Sequence, residues 1–338
     1  MIREQASMTR RRWFLATSGL ALSSYFGVAA EANAPKLLSV QKIWDSAPHN
    51  AFTDLLHHKG EWFCVFREGA KHASPDGKLR VITSHDGERW ESAALVESPL
   101  GDARDAKLCV TPDGRLMLNG AIALKDQSQH RHQSVAWFSD DGRKWSEPSL
   151  IGDPDFWLWR VTWHEGKAYT IGYNTNKDRT KRFLRLYRSD DGKKFEVLNE
   201  RLFDQSSPGE NTIRFLKDGT ALCLVRRDLE PFTSLPGTAK PPYKEWTWRE
   251  GLPRIGGPNF IQLPDGRLLA AGRNHDGSIR TSLFWLDAEK ATLTECLKLP
   301  SKGDSSYPGL VWHEGQLWVS YYSSHESKTA IYLAKVSL

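Results

Sequence analysis

Apolar positions in this chain come in short runs broken by polar turns, not at the three-and-four spacing of helices. LLHHKGEWFCVF, CVTPDGRLMLNG, VTWHEGKAYTIGY, RFLKDGTALCLV, FIQLPDGRLLAAG and LVWHEGQLWVSYY each place two apolar runs about a turn that ends in glycine. That arrangement signals a β-hairpin. The turn glycines Gly60, Gly114, Gly166, Gly219, Gly266 and Gly315 recur at intervals of 54, 52, 53, 47 and 49 residues. Each interval leaves room for two further strands, which is the size of a propeller blade. The pattern predicts an all-β fold, a six-bladed β-propeller of four-stranded antiparallel blades. The final run from Thr329 to Leu338 reads as the third strand of a blade that lacks its fourth, and Lys36 to Trp44 is a spare strand. Pairing the two would close the ring and remove both exposed edges. One domain is expected, over residues 35–338.

A second motif falls between the hairpins. Ser84 to Trp90, Ser139 to Trp145 and Ser189 to Phe195 share the pattern S-x-D-G-x-x-[WF]. Its Asp can accept bonds from the amides of its own turn, its Gly takes positive φ, and its aromatic tucks into the blade.

In a propeller blade the innermost strand starts at one face and the second strand returns to it. Residues just before the first strand and just after the second therefore share a rim. Nine positions before the turn glycines stand Ala51, Asp105, Trp157, Glu210, Gly257 and Ser306, with Tyr307 next in line. Seven positions after them stand Arg67, Ala121, Tyr173, Arg226, Arg273 and Tyr322. The rim is expected to collect carboxylates, guanidiniums and phenols from different blades, with Arg104 beside Asp105 as a further pocket pair.

Composition agrees with this reading. The 338 residues include 14 Trp, 26 Gly and 17 Pro, as suits short strands and many turns. The formal charge of +5 rests partly on four Arg and two Glu in residues 1–34; without these, 42 basic residues against 39 acidic leave +3. Such a balance gives no footprint for nucleic acid. Cys64, Cys109, Cys223 and Cys296 lie far apart and mostly in apolar runs, as buried free thiols do. No phosphate loop, dinucleotide fingerprint or serine elbow is present. His57-His58 and His130-Arg131-His132 stand on neighbouring strand positions that face opposite ways, so no metal or other cofactor is expected.

The N-terminal segment has its own logic. Arg10-Arg11-Arg12-Trp13-Phe14-Leu15 precedes an apolar run to Ala30 and small residues near Ala32 and Ala34. A basic head, apolar middle and small-residue exit mark a secretory signal. The Arg-Arg-x-Phe-Leu pattern resembles a twin-arginine signal, which implies a periplasmic or secreted protein. The alternative is an uncleaved anchor. The chain after the signal is expected to be soluble, free of the membrane and monomeric.

The S-x-D-G-x-x-[WF] turns resemble the Asp boxes of the sialidase superfamily, though one residue shorter than the common form. Glu210, sixteen positions before Arg226 across a hairpin, resembles the pair of that family in which a Glu and the second Arg of a three-Arg cluster bracket such a hairpin. Arg280 in SIRTSLFWLD resembles the third Arg of the cluster, and DSSYPGL resembles the segment bearing the catalytic Tyr, here Tyr307. The resemblance implies an exported glycoside hydrolase acting on a terminal sugar of a glycan, an acidic one, with Tyr307 as nucleophile and Glu210 as its base. Arg226, Arg280, Arg67 and Arg273 would bind substrate, with Arg104 and Asp105 nearby.

The match breaks at the family's first Arg, where this chain reads His49-Asn50-Ala51-Phe52-Thr53-Asp54. Arg67 could substitute from the other strand. The family's acid/base Asp lies in the loop before the first Asp box, where Asp76 and His72 are rival candidates. With Ala51 in place of an Arg, weak or no action on ordinary α-sialosides is expected, and a uronic acid or neutral sugar would be the substrate. The alternative reading is a non-catalytic propeller that binds glycan or protein, since fold alone implies no activity.

Overall fold

A computed structural model describes residues 34–338; the twin-arginine reading of residues 1–34 falls almost wholly outside them. The described chain forms six four-stranded antiparallel sheets, each a blade, five of them built from consecutive strands. The inner strands of blades 1 to 6 are His49–His58, Gly101–Val110, Phe156–His164, Pro208–Phe215, Ile255–Gln262 and Ser305–His313. Their hairpin partners are Glu61–Gly69, Leu116–Leu124, Lys167–Asn174, Ala221–Arg227, Leu268–Asn274 and Gln316–Ser323. The sixth blade takes Lys36–Trp44 as its outer strand, paired antiparallel with Ala330–Ser337. The ring is thus closed by the two ends of the domain, as the missing strand required.

Apolar clusters fill the spaces between blades. Leu79, Val81, Leu116 and Leu118 are buried between blades 1 and 2, and the stacked Trp62 and Trp318 rings, 4.2 Å apart, join blade 1 to blade 6. The S-x-D-G turns fasten the blades from outside. Asp86 accepts from the Glu88 and Arg89 amides at 2.8 and 2.9 Å, and Asp141 and Asp191 repeat the pattern. Gly87 needs both its φ of 71° and its missing side chain, because a Cβ would lie 2.4 Å from Trp318.

The deep channel is sealed by polar side chains. Asp54 of blade 1 and Arg160 of blade 3 pair through two bonds of 2.7 and 3.1 Å, both nearly inaccessible. At the mouth of the channel every blade breaks register between its first two strands. The breaks fall at Ala51/Asp54, Arg104/Lys107, Leu158/Val161, Pro208/Asn211, Gly256/Asn259 and Ser306/Gly309. Phe52, Asp105, Gly257, Ser306 and Tyr307 adopt positive φ within these bulges. A bulge re-aims side chains, and here it turns the residue out of the ladder and into the mouth. All four cysteines are free, with Cys64 and Cys223 buried.

Candidate active site

Three consecutive blades meet at Glu210. It lies in the blade 4 bulge, and its Oε1 accepts the phenol of Tyr307 from the blade 6 bulge in a short hydrogen bond. Its Oε2 accepts from Arg226 Nη1 at 2.8 Å and from the Gly257 amide at 2.6 Å. Burial alone would raise the Glu210 pKa, but Arg226, Tyr307 and the Gly257 amide outweigh it and hold the carboxyl below its ordinary value. Tyr307 moves the other way. Burial, then the Glu210 charge, raise its phenol well above the usual range, against Arg226 and Arg273. The pair is thus a neutral phenol donating to an ionised carboxylate, which is how a base stands ready to take a proton.

Glycine is required at position 257. Its φ is 58°, and a Cβ there would fall 2.7 Å from the Tyr307 ring. Around the ring, Phe52 lies 5.1 Å away edge-on and the Arg273 guanidinium sits 5.4 Å from the centroid.

The cations of this side are all matched by acids. Arg226 also bonds Asp228 at 2.8 Å, and Arg254 reaches the same carboxylate at 2.7 Å. Arg273 donates to the Ser305 carbonyl at 2.9 Å, to the Tyr322 hydroxyl at 2.9 Å and to Asp304 at 3.4 Å. Asp304 further accepts from Tyr322 at 2.8 Å and bonds His49 at 2.9 Å and His72 at 2.7 Å. These partners keep Asp304 ionised far below its usual range despite its burial. His49, His72 and Asp304 offer donor atoms within 4.8 Å of one another, so this group could take a cation. It joins three distant segments, which is why reasoning from neighbouring His pairs did not consider it.

Asp105 sits in the blade 2 bulge at φ 53°, almost fully buried, with its Oδ1 unpartnered. Burial raises its pKa, against the pull of Lys107 and Arg104, and the Glu210 charge adds to the rise. With the Asp105 pKa raised and the Glu210 pKa lowered, the two carboxyls are pushed apart in the direction that separates acid from base. His72 is exposed at the same mouth, its ring 5.0 Å from Phe52, and Arg104 donates to its carbonyl at 2.6 Å.

Three expected site residues are placed elsewhere. Arg67 is fully buried: Nε bonds Asp102 at 2.8 Å and the other nitrogens bond the Lys71 and Ser74 carbonyls. The loop after it folds over the guanidinium, so Arg67 anchors the loop that carries His72 and does not reach substrate. Asp76 closes the same loop by accepting from the Ala70 amide at 3.0 Å. Its bonds from Ser74 and Ala70 lower its pKa, the reverse of what a proton donor needs. Arg280 points outward, paired through two 2.8 Å bonds with Glu295 on the blade 5 edge strand. The rim position rule identified Arg226, Arg273, Asp105, Glu210 and Tyr307. It did not single out Asp228, Arg254, Asp304 or His49, although Asp228 and Asp304 stand two and three positions from rim residues. A surface hollow of about 610 Å³ lies at the opposite, turn end of blades 4 and 5 and contains none of this chemistry.

No protein-family model matches the chain, and no curated protein sequence does. Solved structures match it in shape. A protein of unknown function from Dyadobacter fermentans superposes with a TM-score of 0.80 at 18% identity, over 90% of this chain and all of that one. An α-L-arabinofuranosidase of Fusarium graminearum, solved with arabinobiose, matches at 0.70 and 14% over 88% of this chain and 97% of that one. A Trypanosoma rangeli sialidase, solved with the inhibitor DANA, matches at 0.67 and 12% over 89% of this chain but 58% of that one. The shared property is the six-bladed propeller.

Proposed function

We propose that the protein is a glycoside hydrolase that removes a terminal sugar through Tyr307. The observation that carries the reading is the hydrogen bond from the Tyr307 phenol to an ionised, half-buried Glu210 at the mouth of the channel. Two of the matching structures are an α-L-arabinofuranosidase and a sialidase, which supports the class. Glu210 takes the phenolic proton as the Tyr307 oxygen bonds the anomeric carbon. The bond to the leaving oxygen breaks, and Asp105 supplies that oxygen with a proton. Water then attacks the anomeric carbon as the bond from that carbon to the Tyr307 oxygen breaks, giving its proton to Asp105. Glu210 returns the first proton to the freed Tyr307 oxygen. Arg226 steadies Glu210, and Gly257 with Phe52 fixes the ring. The leader of residues 1–34 motivates placing the substrate outside the cytoplasm.

The acidic terminal sugar and the sialoside question follow from the arginines. Arg67 and Arg280 are engaged away from the mouth, and Ala51 replaces the family's first Arg, so a three-Arg clamp on one carboxylate has no support. Ordinary α-sialosides are therefore poor substrates. The test is a panel of fluorogenic glycosides that includes a sialoside, uronides, arabinofuranosides and neutral pyranosides, assayed with the purified protein and with Tyr307→Phe. Turnover of a panel member other than the sialoside, lost in the variant, is expected. No turnover of any member would favour the carbohydrate-binding alternative, and fast sialoside turnover would overturn the specificity claim.

A further inference from the structure

Charge is distributed unevenly around the mouth. On the side of blades 4 to 6, Arg226, Arg254 and Arg273 face Glu210, Asp228 and Asp304, three cations against three anions. On the side of blade 3, Arg131 and Arg182 have no carboxylate partner among the described residues. Arg131 Nη1 donates to the Thr175 carbonyl at 3.2 Å, and Arg182 Nε donates to the Asn176 carbonyl at 3.1 Å. The two guanidiniums thus clasp adjacent carbonyls of one loop, and both are half-buried. Asp155 accepts from the Arg131 and His132 amides and bonds His130, not either guanidinium, and Asp228 acts on Arg182 through space without a hydrogen bond.

The same wall carries a second unmet donor. Trp157 is 6% exposed, and its indole nitrogen is buried without a partner. Its ring stacks on Tyr173 at an interplanar angle of 11° and lies 5.2 Å from His132. His132 is forced towards its neutral form, with a pKa lowered to about 4, first by burial and then by Arg131, with Arg104 and Arg182 adding to the effect. Trp157 and Tyr307 belong to one apolar cluster with Tyr173 packed against it, which puts this wall against the catalytic pair. Buried donors without acceptors and half-buried cations without counter-ions are costly, and a bound oxyanion would satisfy both.

We infer that Arg131, Arg182 and the Trp157 indole form an anion subsite that binds a carboxylate or sulfate group carried by the sugar substrate. This rests on the glycosidase reading for its purpose, but not for its chemistry. It assigns the acidic group of the substrate to blade 3, away from Arg226 and Arg273, whose charges are already balanced.

Calorimetric titration at constant ionic strength tests it, with sodium D-glucuronate, sodium sulfate and neutral D-glucose as the probes. Saturable binding of glucuronate or sulfate, and none of glucose, is expected. Which anion binds identifies the substituent as carboxylate or sulfate. Arg131→Gln with Arg182→Gln should weaken that binding at least about tenfold, since each charged hydrogen bond is worth about a decade. Lys177→Gln with Lys181→Gln removes equal charge from the exposed part of the loop and should leave binding intact, as should Tyr307→Phe. Should the double Arg variant fail to fold, Arg182→Lys keeps the charge, loses the fork and should still weaken binding. No anion binding by the parent protein, or equal weakening in the Lys and Arg variants, would overturn the subsite. Because the titration reads binding and the glycoside panel reads turnover, failure of either is distinguishable from failure of the other.

Discussion

At one end of the channel the six hairpins turn through glycines with φ between 75° and 92°, five of them with no atom within 4 Å of a notional Cβ. At the other end the same hairpins slip register in every blade, and their glycines and side chains are crowded, as at Gly257 against Tyr307. The turn end is regular because it has only to reverse the chain. The mouth is irregular because each bulge releases one residue from the ladder and aims it inward. Both ends leave polar atoms without partners, Asp105 Oδ1, Trp157 Nε1, Ser306 Oγ and His275 Nε2 at the mouth and Trp163 Nε1 and His164 Nε2 near the turns. It is therefore the slipped register that sets the mouth apart. The contrast separates what holds the fold from what acts.

The sharpest way to break the contrast is to remove the phenol. Tyr307→Phe should cut turnover at least about a thousandfold, as loss of a nucleophile does. Tyr322→Phe, on the same rim but bonded to Asp304, should cost about tenfold, the worth of one hydrogen bond to a charge. Steady-state kinetics on the best substrate of the panel reads both.

Asp105→Asn should lower turnover by about 10²–10⁴ and change the pH profile. Burial raises the Asp105 pKa, so the protonated acid persists above the usual carboxylate range and activity falls as pH rises through the raised value. Glu210, held below its ordinary value, sets the acid limb, and activity falls as pH drops through that lowered value. The Asn variant should keep the acid limb and lose the alkaline one. Ionising a buried carboxyl also costs stability, so the parent should weaken as pH climbs through the raised pKa. The variant should melt higher than the parent on the alkaline side.

Two glycine substitutions compare the ends directly. Gly219→Ala meets open space and should cost only the left-handed backbone penalty of about 1–2 kcal/mol. Gly257→Ala bears a similar penalty and adds about 1–3 kcal/mol of overpacking against the Tyr307 ring. Urea unfolding should rank them in that order, and only the second should also lose activity. The smallest effect is expected at Arg280→Gln, which breaks the half-buried pair with Glu295. Stability should fall by about 1 kcal/mol or less, with turnover unchanged.

The blade count, the closing strand and the rim were legible in the sequence because hairpin periodicity and turn glycines are local signals. Glu210, Arg226 and Tyr307 could be placed together because a repeat position fixes where a residue emerges. Arg67 and Arg280 occupy equally good positions in the sequence and still miss the site. Each is captured by a carboxylate, Asp102 or Glu295, that no local pattern pairs with it. Asp76 sits in the expected loop but caps it, whereas Asp105, the proposed acid, is set at the mouth by a bulge that alternation cannot reveal. Long-range pairing and backbone irregularity are the two things the periodic pattern does not encode.

The central claim is that the Tyr307 oxygen bonds the anomeric carbon. With the glycoside that the enzyme turns over fastest, its 2-deoxy-2-fluoro analogue carrying a fluoride leaving group should trap that bond. Intact-protein mass spectrometry should show the addition of one sugar residue, and peptide mapping should place it on Tyr307. Tyr307→Phe should stay unmodified. A sugar found on Glu210 or Asp105 would contradict the account, as would active turnover with no covalent species on Tyr307.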